Sequence, residues 1–382
     1  MTTPSTALSA LLTNRYDDFG ASLAEVTDWP AWICFLAHHR LHLLFHQATT
    51  VHCPDAVPPS IAATLAKEFR ANVQQVFLAG AQLFTTLEMF AQQGLVALPF
   101  KGPVLGQLAF GDPALRVFGD LDILVPLSSA GHAYDLLTSE GFSLPKAITR
   151  DAAKAMLAAG YEYHVHSPRH PFEIGLHWSA ASRRDPCRLT TEDMLARAVP
   201  MTFLNRTIKV PCPEDNVLAL CLHHGRHGWN RLEWVVTLAR LVDGAPDVDW
   251  ATTLDHAQKL HCRRRFLVGV LLSHDLAAAS WPSALLEAAR HDKRAVSLAR
   301  TAHKDLLAMP PVLSRSASLW TLQALDSCVD QATFTLKHTF IPSQSDFAAL
   351  HLPRAIWPLY PMLRPFRLSC RLMHTFTRRI RR

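Results

Sequence analysis

The sequence predicts an α+β fold, in which a central segment of strands and helices is flanked by N- and C-terminal helical segments. Short apolar runs closed by Gly or Pro, typical of buried strands, occur in the middle of the chain. Apolar residues at three- and four-residue steps, typical of amphipathic helices, dominate the rest. The 382 residues are 49% hydrophobic and 18% charged, which is sufficient for a large core. We divide the chain into an N-terminal helical region (1–94), an α+β core (95–182), a helical domain (183–310) and a C-terminal helical region with a basic tail (311–382).

Each element of this scheme follows from a local pattern. A long helix is predicted over residues 62–89, because its apolar residues recur every three or four positions and two prolines precede it. In the core we expect a buried strand at 95–100, a turn at 101–103, a short helix to 110, a strand at 121–125, a helix at 130–141 and a hairpin of strands at 161–166 and 172–178. After residue 185 the pattern is helical, with helices at 213–227, 230–242 and 250–260 and a linker near 310–315.

The charge is concentrated at the C-terminal end. The formal net charge is +6, but residues 347–382 contain eight arginines and no acid, so the rest of the chain carries about −2. A general nucleic-acid-binding protein usually has a basic face on its folded body, so that function is not favoured. Apolar residues among the tail arginines suit either an acidic membrane surface or partner, or a helix packed on the body.

The cysteines and the apolar runs indicate where the protein works. None of the eight cysteines forms a C-x-x-C pair, so we expect reduced thiols and no zinc knuckle. The N-terminus does not resemble a signal peptide, and the longest apolar runs are too short to cross a bilayer. We expect a cytoplasmic protein, with peripheral membrane contact through the tail as an open alternative.

The most informative motif is the D-x-D of Asp120 and Asp122. In a strand, residues i and i+2 point to the same face, so the two carboxylates would project together. Such a pair repels itself unless a cation intervenes, and Mg²⁺ (or Mn²⁺) bound by carboxylates and substrate phosphates is a common solution. The alternative is a turn cap followed by a solvated edge residue. A second D-x-D, at Asp247 and Asp249, is interpreted as a loop with a helix N-cap.

Residues around the first D-x-D suggest phosphate chemistry. Lys101 and Gly102 would offer a point charge and a closely approaching backbone, and Arg116 could bind phosphate oxygens. Glu173 shares a strand face with Gly175 and His177. Three acids, Asp120, Asp122 and Glu173, could hold two metal ions for an in-line phosphoryl or nucleotidyl displacement.

The stretch from Leu98 to Val125 resembles the uncharacterised nucleotidyltransferase family of the polymerase-β-like superfamily, as do the segments 173–178 and 223–234. This resemblance implies a small mixed sheet of the nucleotidyltransferase type, with Asp120 and Asp122 as metal ligands and Lys101–Gly102 as the phosphate-contacting turn. The sequence departs from the family pattern twice. Gly175 stands where an acid often precedes the His-Trp pair, and Thr237 stands where an Asp is common.

The histidine-rich segment 223–227 allows three interpretations. His223 and His227 have helical i, i+4 spacing, but no third zinc ligand is evident. The alternatives are buried structural histidines or a nucleotide-facing segment, with Arg226 or His224 on phosphate. The hairpin residues His164, His166 and His170 are expected at the surface.

We therefore predict a metal-dependent nucleotidyltransferase that moves an NMP from an NTP to an unknown acceptor. Its catalytic and metal-binding residues would be Asp120, Asp122 and Glu173, and its nucleotide contacts would come from Lys101, Gly102, Arg116, His177 and Arg226. An inactive descendant that binds nucleotide or a protein partner is the alternative, and a D-x-D glycosyltransferase fits less well. The acceptor stays open among a protein, an RNA, a small molecule and a glycan precursor.

Overall fold

The structure, a computed structural model, describes residues 5–144, 157, 160, 162–308, 317–350 and 352–380. It is a mixed α+β fold with helices at both ends, which confirms the predicted fold class. The predicted linker at 310–315 and Tyr161 lie outside the described residues.

The N-terminal region is helical, as predicted. Its helices are α1 (Ser5–Thr13), α2 (Phe19–Ser22), α3 (Trp29–His38), α4 (His42–His52) and α5 (Pro59–Gln92). Pro59 occupies the first turn of α5, where a missing backbone N–H costs nothing. The helix has 34 residues and is longer at both ends than predicted.

The central sheet has four strands in the order β1-β2-β4-β3. They are β1 (Leu98–Pro99), β2 (Asp120–Leu124), β3 (Glu162–Val165) and β4 (Glu173–His177). β2 and β4 are parallel, whereas β1–β2 and β3–β4 are antiparallel, so both the mixed sheet and the β3–β4 hairpin are confirmed. The predicted first strand was too long. Leu95 donates its N–H to Phe90 at the end of α5, and only two residues pair with β2.

The remaining elements pack around this sheet. The α-helices α6 (Gly102–Phe110) and α7 (Leu127–Ser139) belong to the described part of the core region. After them come α8 (Thr191–Ala196), α9 (Pro213–Arg226), α10 (Leu232–Asp243), α11 (Trp250–Lys259), α12 (Arg263–Ala277), α13 (Ser283–His291) and α14 (Lys293–Leu306). The C-terminal helices are α15 (Ala317–Gln323), α16 (Cys328–Phe340), α17 (Gln344–Ala349) and α18 (Tyr360–Ile380).

The prediction of a purely helical chain after residue 185 was wrong. Strands β5 (Val199–Phe203) and β6 (Arg206–Val210) form an antiparallel hairpin. Leu204 and Asn205 turn it with φ of 45° and 62°, the left-handed values that a two-residue hairpin turn requires. Of these, only Asn is common in that conformation, so the turn signal was weak. The second D-x-D was interpreted correctly, because Asp249 caps α11 by accepting the N–H groups of Ala251 and Thr252.

Buried side chains form two hydrophobic clusters. The larger one joins the N-terminal helices to α9–α14, and the smaller one lies beneath the sheet. All eight cysteines are free thiols, as expected. Within the described ranges, no helix combines the length and the apolar character needed to span a membrane.

Candidate functional site

The turn between β1 and α6 is built around Gly102. Its φ is +56°, and a Cβ at this position would lie 3.0 Å from the backbone oxygen of Asp120. Glycine is therefore required by both conformation and space. Nη1 of Arg116 donates to the Gly102 carbonyl at 3.0 Å. The turn is thus fixed directly against the start of β2, as the prediction of a phosphate-contacting turn requires.

The two carboxylates of the D-x-D motif have different surroundings. Asp122 is buried, and its Oδ1 lies 3.1 Å from Nζ of Lys101 and 2.6 Å from Nε2 of His177. Burial raises the pKa of Asp122, but Lys101 and His177 outweigh burial and hold it well below its usual range. The side chain of Asp120 makes no hydrogen bond or ion pair within the described part of the chain. Burial and the charge of Asp122 raise its pKa. Asp120 is therefore a carboxylate in need of a cation.

Gly175 contributes no side chain at the centre of this sheet face. It pairs with Asp122 on β2 and with His164 on β3. A Cβ at this position would lie 2.7 Å from Oδ1 of Asp122 and 3.0 Å from Nε2 of His177. The space that an acidic side chain at position 175 would need is therefore filled by the contact between His177 and Asp122.

His177 is held from both sides. Its Nε2 faces Asp122, and its Nδ1 lies 3.2 Å from Oε2 of Glu162. Glu162 is opposite His177 in the hairpin register, so the two side chains share a face. Glu162 was missed in the sequence. The alternation of Glu162 and His164 with the buried Tyr163 and Val165 was the signal that could have revealed it.

Glu173 lies beside Asp120 in the parallel register, as expected, but it is engaged elsewhere. Its Oε1 is 2.8 Å from Nδ1 of His164, and its side chain is 41% exposed. His164 was expected at the surface, yet it is surrounded by acids. The neighbouring carboxylate of Glu162, 3.7 Å from its Nε2, and the charges of Glu173 and Asp120 raise its pKa to about 9. The prediction of Glu173 as a third metal ligand is therefore not supported by the geometry.

Arg116 also differs from its predicted role. Its Nε donates to Oε1 of Glu233 at 2.8 Å, and both side chains are buried. Thr237, at the position where the family often has Asp, donates to the same oxygen at 3.0 Å. The guanidinium is thus held beneath the turn by Glu233 and the Gly102 carbonyl, and Arg116 positions the turn.

The histidine-rich segment lies on α9 against the site. His224 stacks on Trp234 with ring centroids 4.6 Å apart and 1° between the planes. Burial lowers the pKa values of His223 and His224 well below the usual value, so both rings are neutral. The zinc interpretation finds no support, because no group of three or more His, Cys, Asp or Glu side chains in the described ranges could hold a metal ion.

An open cleft of about 500 Å³ brings most of the predicted residues together. Asp120, Asp122, Glu173, Lys101, Gly102 and Arg116 line it. His177 and Arg226 instead line a neighbouring cavity. Two cleft residues that sequence reasoning missed are Arg40 and Arg231. Their guanidinium groups donate to the carbonyls of Val117 and His38, at 3.5 and 2.9 Å, and neither pairs with a carboxylate among the described residues.

The carboxylates fit one divalent cation and do not fit a three-acid site. Burial and Asp122 outweigh the cations near Asp120, and Oδ2 of Asp122 has no hydrogen-bond partner among the described residues. Mg²⁺ is often held by one or two carboxylates together with substrate phosphates. A second cation would need a third acid, but position 175 has no side chain and Glu173 pairs with His164.

The sequence model of the uncharacterised nucleotidyltransferase family matches residues 25–278. No curated protein matches the chain. The matched segment covers roughly two thirds of the 382 residues and includes every cleft residue named above. Membership of such a family supports a general nucleotidyltransferase activity. By this match the chain belongs to the uncharacterised nucleotidyltransferase family.

Proposed function

We propose that the cleft binds a nucleoside triphosphate together with Mg²⁺ or Mn²⁺, and that the protein transfers the nucleoside monophosphate to an acceptor. The observation that carries this proposal is the contact between the Lys101–Gly102 turn and the Asp120–Asp122 strand. A phosphate-approaching backbone and an uncompensated carboxylate then lie in one cleft. That combination is what a metal-bound triphosphate needs.

The cleft residues have separable tasks in this proposal. Arg40 and Arg231 form no ion pair with a carboxylate in the described ranges, so their positive charges can bind phosphate oxygens. Arg116 keeps the Gly102 carbonyl in place and contacts no nucleotide. Asp120 and Asp122 would hold the cation, which neutralises charge on the phosphates during transfer. Lys101 balances Asp122 when the nucleotide is absent.

The test separates binding from turnover. Calorimetry with an α,β-methylene NTP analogue measures binding with and without Mg²⁺, and release of pyrophosphate from the four NTPs measures transfer. Asp122→Asn should abolish turnover and weaken Mg²⁺-dependent binding of the analogue at least about tenfold, which is within the usual contribution of a charged contact to binding. Asp247→Asn is the matched control, since Asp247 belongs to the D-x-D outside the cleft. Equal turnover in wild type and Asp122→Asn would refute the proposal.

Glu173 can be tested in the same assay. Because Glu173 pairs with His164, we expect Glu173→Gln to lower turnover less than about tenfold. A loss of about a hundredfold, the scale of a general acid or base, would restore Glu173 as a catalytic residue.

The second candidate is nucleotide binding without transfer. The missing acidic side chain at position 175 favours it. A descendant that lacks the third acid can retain the Lys101–Gly102 turn and the basic side chains of the cleft. Mg²⁺-dependent binding of the analogue with no pyrophosphate release from any NTP and acceptor mixture would select this function. The family match favours either candidate over a D-x-D glycosyltransferase.

We also propose that α18 contacts an acidic membrane. Met362 and Phe366 are 66% and 73% exposed on one side of the helix, with Leu363 beside them. Arg364 and Arg367 both bind Asp346, so the start of α18 is attached to the body and its apolar side faces outward. The sequence has six other arginines and no acid after residue 346, and these arginines complement anionic lipids.

A further inference from the structure

A second cavity adjoins the cleft, and we propose that it is the acceptor subsite, taking a small ring-bearing alcohol or phenol. This inference rests on the proposed nucleotidyl transfer. The cavity, called the side cavity here, has a volume of about 240 Å³. It shares Lys101 and His223 with the cleft. His177 lines the side cavity, Asp122 lines the cleft, and 2.6 Å separates their polar atoms. An acceptor in this cavity would therefore lie next to the phosphates.

The lining of the side cavity suits the apolar body of a small molecule. Phe100, Leu222 and Phe334 contribute to it, together with alanines at 180, 181 and 219. The Phe100 ring meets His177 edge to face at 5.2 Å, so it stands beside the junction with the cleft. Small-molecule sites are typically concave and mostly apolar with a few polar groups, and aromatic side chains pack well against rings.

Asp185 and Glu162 both line the side cavity, and Glu162 is the carboxylate that can accept a hydrogen bond from an acceptor hydroxyl. Asp185 is held by both Nη atoms of Arg265, at 2.5 and 2.9 Å. Glu162 contacts Nδ1 of His177, on the side toward the cleft. Burial raises the pKa of Glu162, but the neighbouring His164 and the charges of His177 and Lys101 lower it below its usual value. Glu162 is therefore ionised at neutral pH and accepts an O–H hydrogen bond.

The transfer balances with these groups. The acceptor oxygen forms a bond to the α-phosphorus while its proton passes to the Glu162 carboxylate and then to water. The bond between the α-phosphorus and the bridging oxygen breaks, and pyrophosphate leaves with the electron pair. No oxidant or further reactant is required.

The outer wall of the side cavity comes from the C-terminal helices. Thr321, Phe334 and His338 line it, and all three lie beyond the segment that the family model matches. Arg184 holds this wall in place, because its Nε and Nη2 donate to the carbonyls of Ile341 and Pro342 at 3.3 and 3.0 Å. The acceptor is thus selected by a part of the chain outside the family's common segment.

The experiment uses the full chain, Mg²⁺ and each of the four α-phosphate-labelled NTPs. The acceptors are the dialysable and the retained fractions of a cell extract, and a panel of benzyl alcohol, cyclohexanol, tyramine and para-hydroxybenzoate. Saturation-transfer NMR measures binding of the panel without nucleotide. Phe334→Trp fills the side cavity, and Phe77→Trp, at a 61% exposed site, is the matched control. Glu162→Gln is a second variant that leaves the cavity volume unchanged.

We expect label in dialysable compounds. In Phe334→Trp and in Glu162→Gln the labelling should fall at least about tenfold, while the affinity for the NTP analogue stays within about twofold of wild type. Panel signals should weaken in Phe334→Trp and persist in Phe77→Trp. Label in the retained fraction, equal labelling in wild type and both cavity variants, or nucleotide binding with neither label nor panel signal would overturn the acceptor subsite. Absence of Mg²⁺-dependent NTP binding would instead refute the proposed function.

Discussion

Replacing Asp120 or Asp122 by its amide should change the stability of the protein in opposite directions. The side chain of Asp122 is 5% exposed and that of Lys101 is 10% exposed, so Asp122→Asn leaves a buried lysine without its counter-charge. Removing one partner of a buried ion pair typically costs about 3–5 kcal/mol. Asparagine keeps the shape and one accepting oxygen, so we expect about 3 kcal/mol, the lower end of that range. Burial of Asp120 and its repulsion by Asp122 outweigh its attraction to Lys101, His164 and His177, so Asp120→Asn should raise the free energy of unfolding.

The direction of each pKa shift determines how the two stability changes depend on pH. The pKa of Asp122 is lower in the folded state, so its contribution is present above the usual value of 3.8 and is lost as the pH falls below it. The deficit of Asp122→Asn should therefore shrink in acid. The pKa of Asp120 is raised, so stability is lost as the pH rises from 3.8 to the folded pKa, and the loss is complete above the folded pKa. The gain of Asp120→Asn should appear at neutral pH and vanish below pH 3.8.

Urea unfolding in the presence of EDTA, followed by circular dichroism at pH 7 and at acidic pH, measures both shifts. Asp247→Asn should leave the free energy of unfolding within about 0.5 kcal/mol of wild type, as for most surface substitutions. Shifts of the same sign in the two cleft variants would refute the assignment of Asp122 as the paired carboxylate and Asp120 as the uncompensated one.

Three other changes test the surroundings of the site. Gly175→Asp should lower the melting temperature in the absence of metal, because its Cβ would lie 2.7 Å from Oδ1 of Asp122, and Mn²⁺ should restore part of that temperature. An unchanged melting temperature would contradict the conclusion that the space beside position 175 is occupied. Glu233→Gln should cost about 3–5 kcal/mol in urea unfolding by leaving the Arg116 charge buried, whereas the double variant Arg116→Met with Glu233→Leu should recover most of it. Phe366→Glu should weaken flotation with anionic vesicles at least about tenfold and leave NTP binding unchanged, while Val329→Glu, 74% exposed on α16, should float like wild type.

Local patterns were enough to predict the strands of the central sheet, although the first was predicted too long. The alternation in β2 placed Asp120 and Asp122 together, and the turn residues placed Lys101 and Gly102 beside them. These predictions depend on residues close in sequence. The β5–β6 hairpin escaped because Leu204 is an uncommon residue at positive φ.

The partners of the site residues could not be predicted in the same way. Arg116 meets Glu233 across 117 positions of sequence, and His177 meets Asp122 across 55. Both contacts depend on strand order and helix packing, which no local pattern specifies. The pairing of Glu162 with His177 was closer to reach, because the hairpin register alone places them opposite each other.

The long helix α5 belongs to both hydrophobic clusters. Its 34 residues extend about 50 Å at 1.5 Å per residue. Leu65 packs in the larger cluster, whereas Leu83 and Phe90 pack in the cluster beneath the sheet. If one cluster unfolds, part of α5 loses its packing while the rest of the helix stays packed in the other cluster. Amide protons in the middle of α5 should exchange only when the whole molecule opens, so the sheet that holds the carboxylates and the helices that hold the arginines unfold as one cooperative unit.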